Sequence, residues 1–192
     1  MDGARRRGAR VLSPKASTLD RPNEVENATR VAVVAALSAT TMLFASLSSA
    51  YLVRRSFSDW RPMPAMWPLA LLAFALAASI GIEVATQAGG GRRRLGLIGL
   101  ACGSGLYLIT VIAVIRSLVL GAGVVATPFN AFVVLLLGLH ALHAAVGGAF
   151  AWWSLRVASA RPSASGFFPA RLVTHFLTAL LCAILFLLFG VR

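Results

Sequence analysis

Acidic residues are scarce in this chain of 192 residues: 6 Asp and Glu stand against 18 Lys and Arg, for a net charge of +12. Charged residues make up 12% of the chain and hydrophobic ones 58%, with a mean hydropathy of +0.82. So little charge excludes a soluble domain of this size and identifies an integral membrane protein. A basic excess would also suit a nucleic-acid partner, but the arginines sit at the edges of apolar runs, which is a topology signal and argues for no nucleic acid. The 2 cysteines, Cys102 and Cys182, lie within apolar runs without metal-ligand spacing, so they read as small packing residues and no disulfide framework is expected.

Ligand-bearing side chains are just as few. Three histidines and, within the apolar segments, the single acid Glu83 join the cysteines as the whole inventory. A di-haem helical cytochrome needs histidines paired across two helices at two depths, whereas His140 and His143 are three apart and His175 begins another run. A metal held by His140, His143 and either His175 or Glu83 is geometrically conceivable, yet no further carboxylate is available to orient the imidazoles. The simpler reading is neutral imidazoles that hydrogen-bond across a helix bundle to hydroxyls or carbonyls and fix its register. No catalytic, cofactor-binding or metal-ligating residue is therefore assigned.

What is present is a succession of apolar segments. Residues 1–30 carry seven basic side chains with Pro14 and Pro22 and few large apolar groups, which predicts a disordered tail held against anionic lipid. About 30 polar residues before the first apolar run argue against a cleaved signal peptide. The segments 31–53, 67–87, 95–121, 128–157 and 172–191 each reach the ~20 residues that cross a bilayer, so the fold class is all-α, a polytopic bundle of five membrane helices. Together they form one unit, residues 31–192. The first span is rich in hydroxyls, from Ser38 to Ser49, which predicts that one side of it faces the interior.

Short connections carry the boundary signals. Trp60, Pro62, Pro64 and Trp67 resemble an aromatic belt. Residues 89–94, GGGRRR, lack the G-K-[ST] ending of a phosphate loop and read as a flexible turn. Gly99 and Gly103 form a G-x-x-x-G pair that marks a close helix contact. Arg116 could hold Glu83 only if the two lie at one depth. Thr127 and Pro128 supply an N-cap and a first-turn proline, and residues 158–170 form the last loop. Basic residues on alternating sides number about 13 against about 5, which puts the amino terminus in the cytoplasm and the carboxy terminus outside.

The segment Leu137–Gly148, LGLHALHAAVGG, sets His140 and His143 within a turn of each other, with Ala144, Gly147, Gly148 and Ala151 continuing a seam of small residues that invites a neighbouring helix. Its G-x-H-x-x-H run resembles the signature of the cytochrome c oxidase subunit III family and its quinol-oxidase and nitric-oxide-reductase relatives. The likeness extends in order over all five spans. MLFASLSSAYLVRR, Met42 to Arg55, is similar to a family helix ending in an AY pair and a basic residue; Ser79, Glu83 and Ala85 resemble the next helix. Tyr107 and Leu108 stand at an F-L pair, and His175 with Phe176 match the last-helix H-F. Thr40 stands where the family has an intramembrane glutamate, Val111 and Ile115 replace a glutamine and a tryptophan, and Thr178 replaces an aspartate. Five spans resemble the short bacterial form that lacks the first two helices.

The resemblance implies an accessory subunit without redox centres, which stabilises the catalytic subunit of a haem-copper oxidase and sustains its proton uptake. It implies catalytic subunit I, subunit II and membrane phospholipid as partners. Haem and copper are expected in those subunits and no cofactor in this chain. Polar subunit contacts would fall to His140, His143, Glu83, His175 and Thr40, and helix packing to Gly99, Gly103, Gly147 and Gly148. The same residues leave two other readings open: the accessory protein of a nitric oxide reductase system, and an independent membrane carrier or haem protein.

Overall fold

The computed structural model describes residues 21–57, 66–87, 90–121, 127–160 and 167–190. Within them the chain forms five helices: α1 (Arg21–Arg55), α2 (Met66–Gln87), α3 (Gly90–Gly121), α4 (Pro128–Ala160) and α5 (Phe168–Leu185), the last continued by a π-helical turn, Phe186–Gly190. All five are long and apolar enough to span a membrane, over Asn27–Arg55, Trp67–Gln87, Gly91–Leu120, Pro128–Val157 and Phe168–Gly190. The chain is an all-α, multi-pass membrane protein.

Several helices start earlier than the apolar pattern predicts. α1 begins at Arg21, so residues 21–30, expected in the disordered tail, are helical, while residues 1–20 lie outside the described residues. Pro22 falls in the first turn, where its missing N–H costs nothing. α3 takes in Arg92, Arg93 and Arg94, correcting the turn expected there; only residues 88–89 separate it from α2. α5 starts at Phe168 with Pro169 in its first turn, which shortens the expected loop and moves His175 into the second turn. At α4 the predicted cap is found: the Asn130 N–H donates to Thr127 Oγ1 at 3.3 Å. Trp60, Pro62 and Pro64 fall outside the described residues.

Lipid offers apolar side chains as good a solvent as the bundle interior, so close backbone approach has to do what hydrophobicity does in water. The α2–α3 pair relies on it most. A methyl group added at Gly81 would strike the backbone of Leu100, one at Gly96 the backbone of Ala85, and one at Gly103 would stand 2.6 Å from the Ala78 nitrogen. Gly99 sits beside this seam with ordinary clearance, 3.5 Å from Gly81 Cα. α4 packs on α5 through Gly147, where a methyl would meet the Leu177 and Val173 side chains; Gly148 faces open space.

The larger side chains fill one end of the bundle, where Leu71, Val111, Val114, Phe129, Val133, Leu136, Leu181 and Leu188 are buried together. A second, smaller cluster of Ala78, Ile82, Leu100, Ala151, Leu155 and Ala170 closes the other end. α1 stands apart. Only 11% of its span is buried, against 39% for α2, and it leans on α4 and α5 through Phe44 and Tyr51. The Tyr51 O–H donates across to the Leu188 carbonyl at 3.4 Å, within the π-helical turn. One side of α1 faces the interior, through Phe44 and Tyr51 and not through its serines and threonines. Ser38, Thr40, Thr41, Ser46 and Ser49 each donate to the carbonyl four residues back in their own helix, the intrahelical bond that lets a hydroxyl face lipid. Cys102 and Cys182 are free thiols on exposed faces and pack against nothing in the interior.

Candidate functional site

Antiparallel connections place the C-terminus of α2 and the N-terminus of α5 at the same end of the bundle, and there Glu83 meets its partners. Arg171 donates through Nε to Oε1 and approaches Oε2 with Nη2, both at 2.8 Å, in a two-pronged grip. His175 Nε2 lies 2.6 Å from Oε1, and Gln87, one turn on from Glu83, donates its amide to Oε2. Glu83 and Gln87 are four apart on α2, Arg171 and His175 four apart on α5, so each pair shares a helix face. The cluster is partly open: the Glu83 side chain is 26% exposed, those of Arg171 and His175 43% and 44%.

One turn deeper the same interface continues with hydroxyls. Ser79 and Thr178 lie 2.7 Å apart, oxygen to oxygen, and Thr178 Oγ1 reaches the carbonyls of Thr174 and Ala75. Glu83, Ser79 and Ala75 thus descend one face of α2 opposite Arg171, His175 and Thr178 of α5.

At the middle of the bundle His140 is 2% exposed and both its ring nitrogens are engaged. Nε2 faces the Leu177 carbonyl at 2.9 Å; a carbonyl only accepts, so Nε2 carries the proton, and Nδ1 accepts from the Tyr107 hydroxyl. One side chain of α4 thereby ties α3 to α5. A small cavity of about 50 Å³ lies alongside, lined by Ser104, Tyr107, His140, Gly148, Thr174 and Thr178. His143 points elsewhere. Its Nδ1–H donates to the Leu139 carbonyl of its own helix at 2.8 Å, and its ring meets Phe44 of α1 edge-on with centroids 5.7 Å apart. It lines an apolar groove of about 560 Å³ between α1 and the α4–α5 pair, together with Thr40, Ala36, Val146 and Leu177.

The residues singled out in the sequence are therefore divided. Glu83 and His175 come together; His143 and Thr40 line one groove, and His140 stands apart from both in the middle of the bundle. Among the described residues no group of three His, Cys, Asp or Glu side chains could hold a metal ion, and His140 could ligate one only by giving up a bond to Tyr107 or Leu177. Arg116 belongs to the last turns of α3, at the opposite end from Glu83, and is not its partner. Five members of these clusters, Arg171, Gln87, Ser79, Thr178 and Tyr107, went unassigned as site residues in the sequence reading. Arg171 carries a readable signal, its i, i+4 spacing from His175; Tyr107 carries none beyond being the polar aromatic of an apolar helix. No family model matches the chain, nor does any curated protein or solved structure.

Proposed function

We propose that this chain is a non-redox accessory subunit of a haem-copper terminal oxidase of the cytochrome c oxidase type, acting in aerobic respiratory electron transport. It stabilises catalytic subunit I, with subunit II as the further partner, and supports proton uptake from the cytoplasmic side of a bacterial inner membrane. Haem and copper belong to those subunits.

The ordered motifs over five spans support the family, and one structural observation carries the role: the polar side chains between the helices, His140 and Glu83 foremost, are already spent on holding the bundle together. His140 has both nitrogens committed to neighbouring helices, and Glu83 is enclosed by Arg171, His175 and Gln87. A bundle so arranged is a scaffold. It also has a face to offer, since α1 spans the membrane with little of its surface covered by its own chain. Arg30, Arg92, Arg93, Arg94, Arg156 and Arg171 lie toward one end and Arg54, Arg55 and Arg116 toward the other, an imbalance that supports a cytoplasmic amino terminus.

Affinity purification from mild-detergent membranes, read by mass spectrometry and a visible spectrum, tests the reading. Copurifying haem-copper catalytic subunits with oxidase bands are the expected result. A nitric oxide reductase catalytic subunit in their place would reassign the complex, and a Soret band in the chain recovered alone would make it an independent haem protein.

A further inference from the structure

The cavity of about 50 Å³ beside His140 takes its walls from four helices: Ala75 from α2, Ser104 and Tyr107 from α3, Gly148 from α4, and Thr174 and Thr178 from α5. We infer that it is a water site, in which bound water accepts a hydrogen bond from the Ser104 hydroxyl and donates to the oxygens of Tyr107 and Thr174. The inference is independent of the oxidase reading, since it needs only this bundle.

Unused hydrogen-bonding capacity is the first argument. Elsewhere in the spans hydroxyls donate back to their own helix, as Thr86 does to the Ile82 carbonyl, Thr110 to that of Leu106 and Ser117 to that of Val114. Ser104 bonds to no described residue, although it stands near the middle of the span Gly91–Leu120. Hydrocarbon offers an O–H no acceptor there, so leaving it unbonded is costly. Acceptors are at hand. The Tyr107 hydroxyl gives its one proton to His140 Nδ1 and the Thr174 hydroxyl gives its own to the Ala170 carbonyl, so both oxygens keep lone pairs. One donor and two acceptors are what a water molecule can meet at once.

Size and surroundings are the second argument. A water needs ~10–15 Å³ of such space, so this cavity has room for more than one. Internal cavities stay dry when their walls are apolar, whereas the hydroxyls of Ser104, Tyr107, Thr174 and Thr178 line this one. An acyl carbon would fit but would leave the Ser104 proton without an acceptor. The space exists because α4 presents no side chain to it at Gly148, where an added methyl would meet nothing within 4 Å. Thr178 lies 2.7 Å from Ser79, oxygen to oxygen, so water here sets the Ser79–Thr178 and Tyr107–His140 pairs on one network that spans α2 to α5.

X-ray footprinting tests this, because radicals formed from bound water oxidise the side chains beside it, while radicals formed in bulk are consumed before they reach a membrane interior. The full-length chain, in mild detergent with any subunit that stays bound, is irradiated for milliseconds and its oxidised peptides are quantified by mass spectrometry. The chain has 2 tyrosines, and Tyr51, buried and bonded to a carbonyl, is the internal reference. Tyr107 should label at least fivefold faster than Tyr51. Gly148→Val, which fills the cavity, should bring Tyr107 down to the Tyr51 rate, and Ser104→Ala should lower it at least twofold. Gly105→Ala, at a position facing open space, should leave it unchanged. Gly148→Ala takes up less of the cavity and should fall between, and it serves if the valine variant does not yield monodisperse protein. Equal labelling of the two tyrosines would overturn the inference in favour of a cavity that is dry or filled by an acyl chain. A Gly148→Val variant that labels as the parent does would overturn the placement of the water.

Discussion

The α2–α3 pair and α1 solve the same problem in opposite ways. α2 and α3 meet backbone to backbone across Gly81, Gly96 and Gly103, with almost no side chain between them. α1 is joined to the bundle by two aromatic residues, Phe44 and Tyr51, and satisfies its own hydroxyls. In lipid, where burial of a leucine gains little, the first arrangement is strong because contact area is large and nothing has to be desolvated. The second leaves a helix that is stable alone and attached only lightly. The α2–α3 pair is therefore the most closely packed part of the molecule, and α1 is the span least covered by its own chain.

The largest effect on this contrast should come from Gly96→Leu. Its side chain would run into the Ala85 backbone, which cannot move without separating the helices, so a loss of ~3 kcal/mol or more is expected. It would be seen as failure to recover monodisperse protein. Gly105→Ala, at a site with nothing within 4 Å, is the control and should be neutral or slightly stabilising. If both variants behaved alike, close approach would not be what holds α2 to α3.

Removing the two-pronged partner of Glu83 comes next. Arg171→Gln should cost ~1 kcal/mol, a modest figure because both side chains are partly exposed and screened. Unfolding in mixed detergent at low and high salt would check it, the difference from the parent shrinking as salt rises.

His140→Leu is expected to lower stability, and with it complex yield, by ~1 kcal/mol, and Tyr107→Phe by slightly less. Because the two side chains share a bond, the double variant should lose less than the sum, with a coupling of ~0.6 kcal/mol. Strict additivity would show that the pair is adjacent but not bonded. The smallest effect belongs to α1: Thr41→Ala and Ser46→Ala should change thermal stability by under ~0.5 kcal/mol, since each hydroxyl serves only its own helix. A larger loss would mean that α1 relies on contacts this chain does not supply.

How much could be read in advance follows from the same contrast. Five spans, the Thr127 cap, the α4 seam at Gly147 and the Gly103 contact were all legible, because length, apolar run and small-residue spacing are local properties. Helix starts were less so. Arg21, Gly90 and Phe168 open helices outside the continuous apolar runs, where hydropathy gives no start signal. The hydroxyls of α1 were misleading, since the same serine or threonine can bond outward or back and only the tertiary arrangement chooses. For the polar clusters, Glu83 and His175 were visible as intramembrane polar groups, but their union depends on which helix ends coincide. Tyr107 was visible only as half of a pair in α3, and nothing in that sequence marks the α4 histidine that it meets.

The attachment at Tyr51 has a mechanical consequence. Tyr51 is fixed to the Leu188 carbonyl, and Val33, at the wide end of the groove, lies 18 residues away along α1, a distance of about 27 Å at the helical rise. With Tyr51 as fulcrum and the helix as a stiff lever, a tilt of about 5° carries Val33 sideways by about 2 Å, the width of a hydrogen atom. A tilt of that size would change the width of the groove, and the Arg30 guanidinium, 5.4 Å from the Phe168 ring centroid, would oppose it at the arginine-rich end.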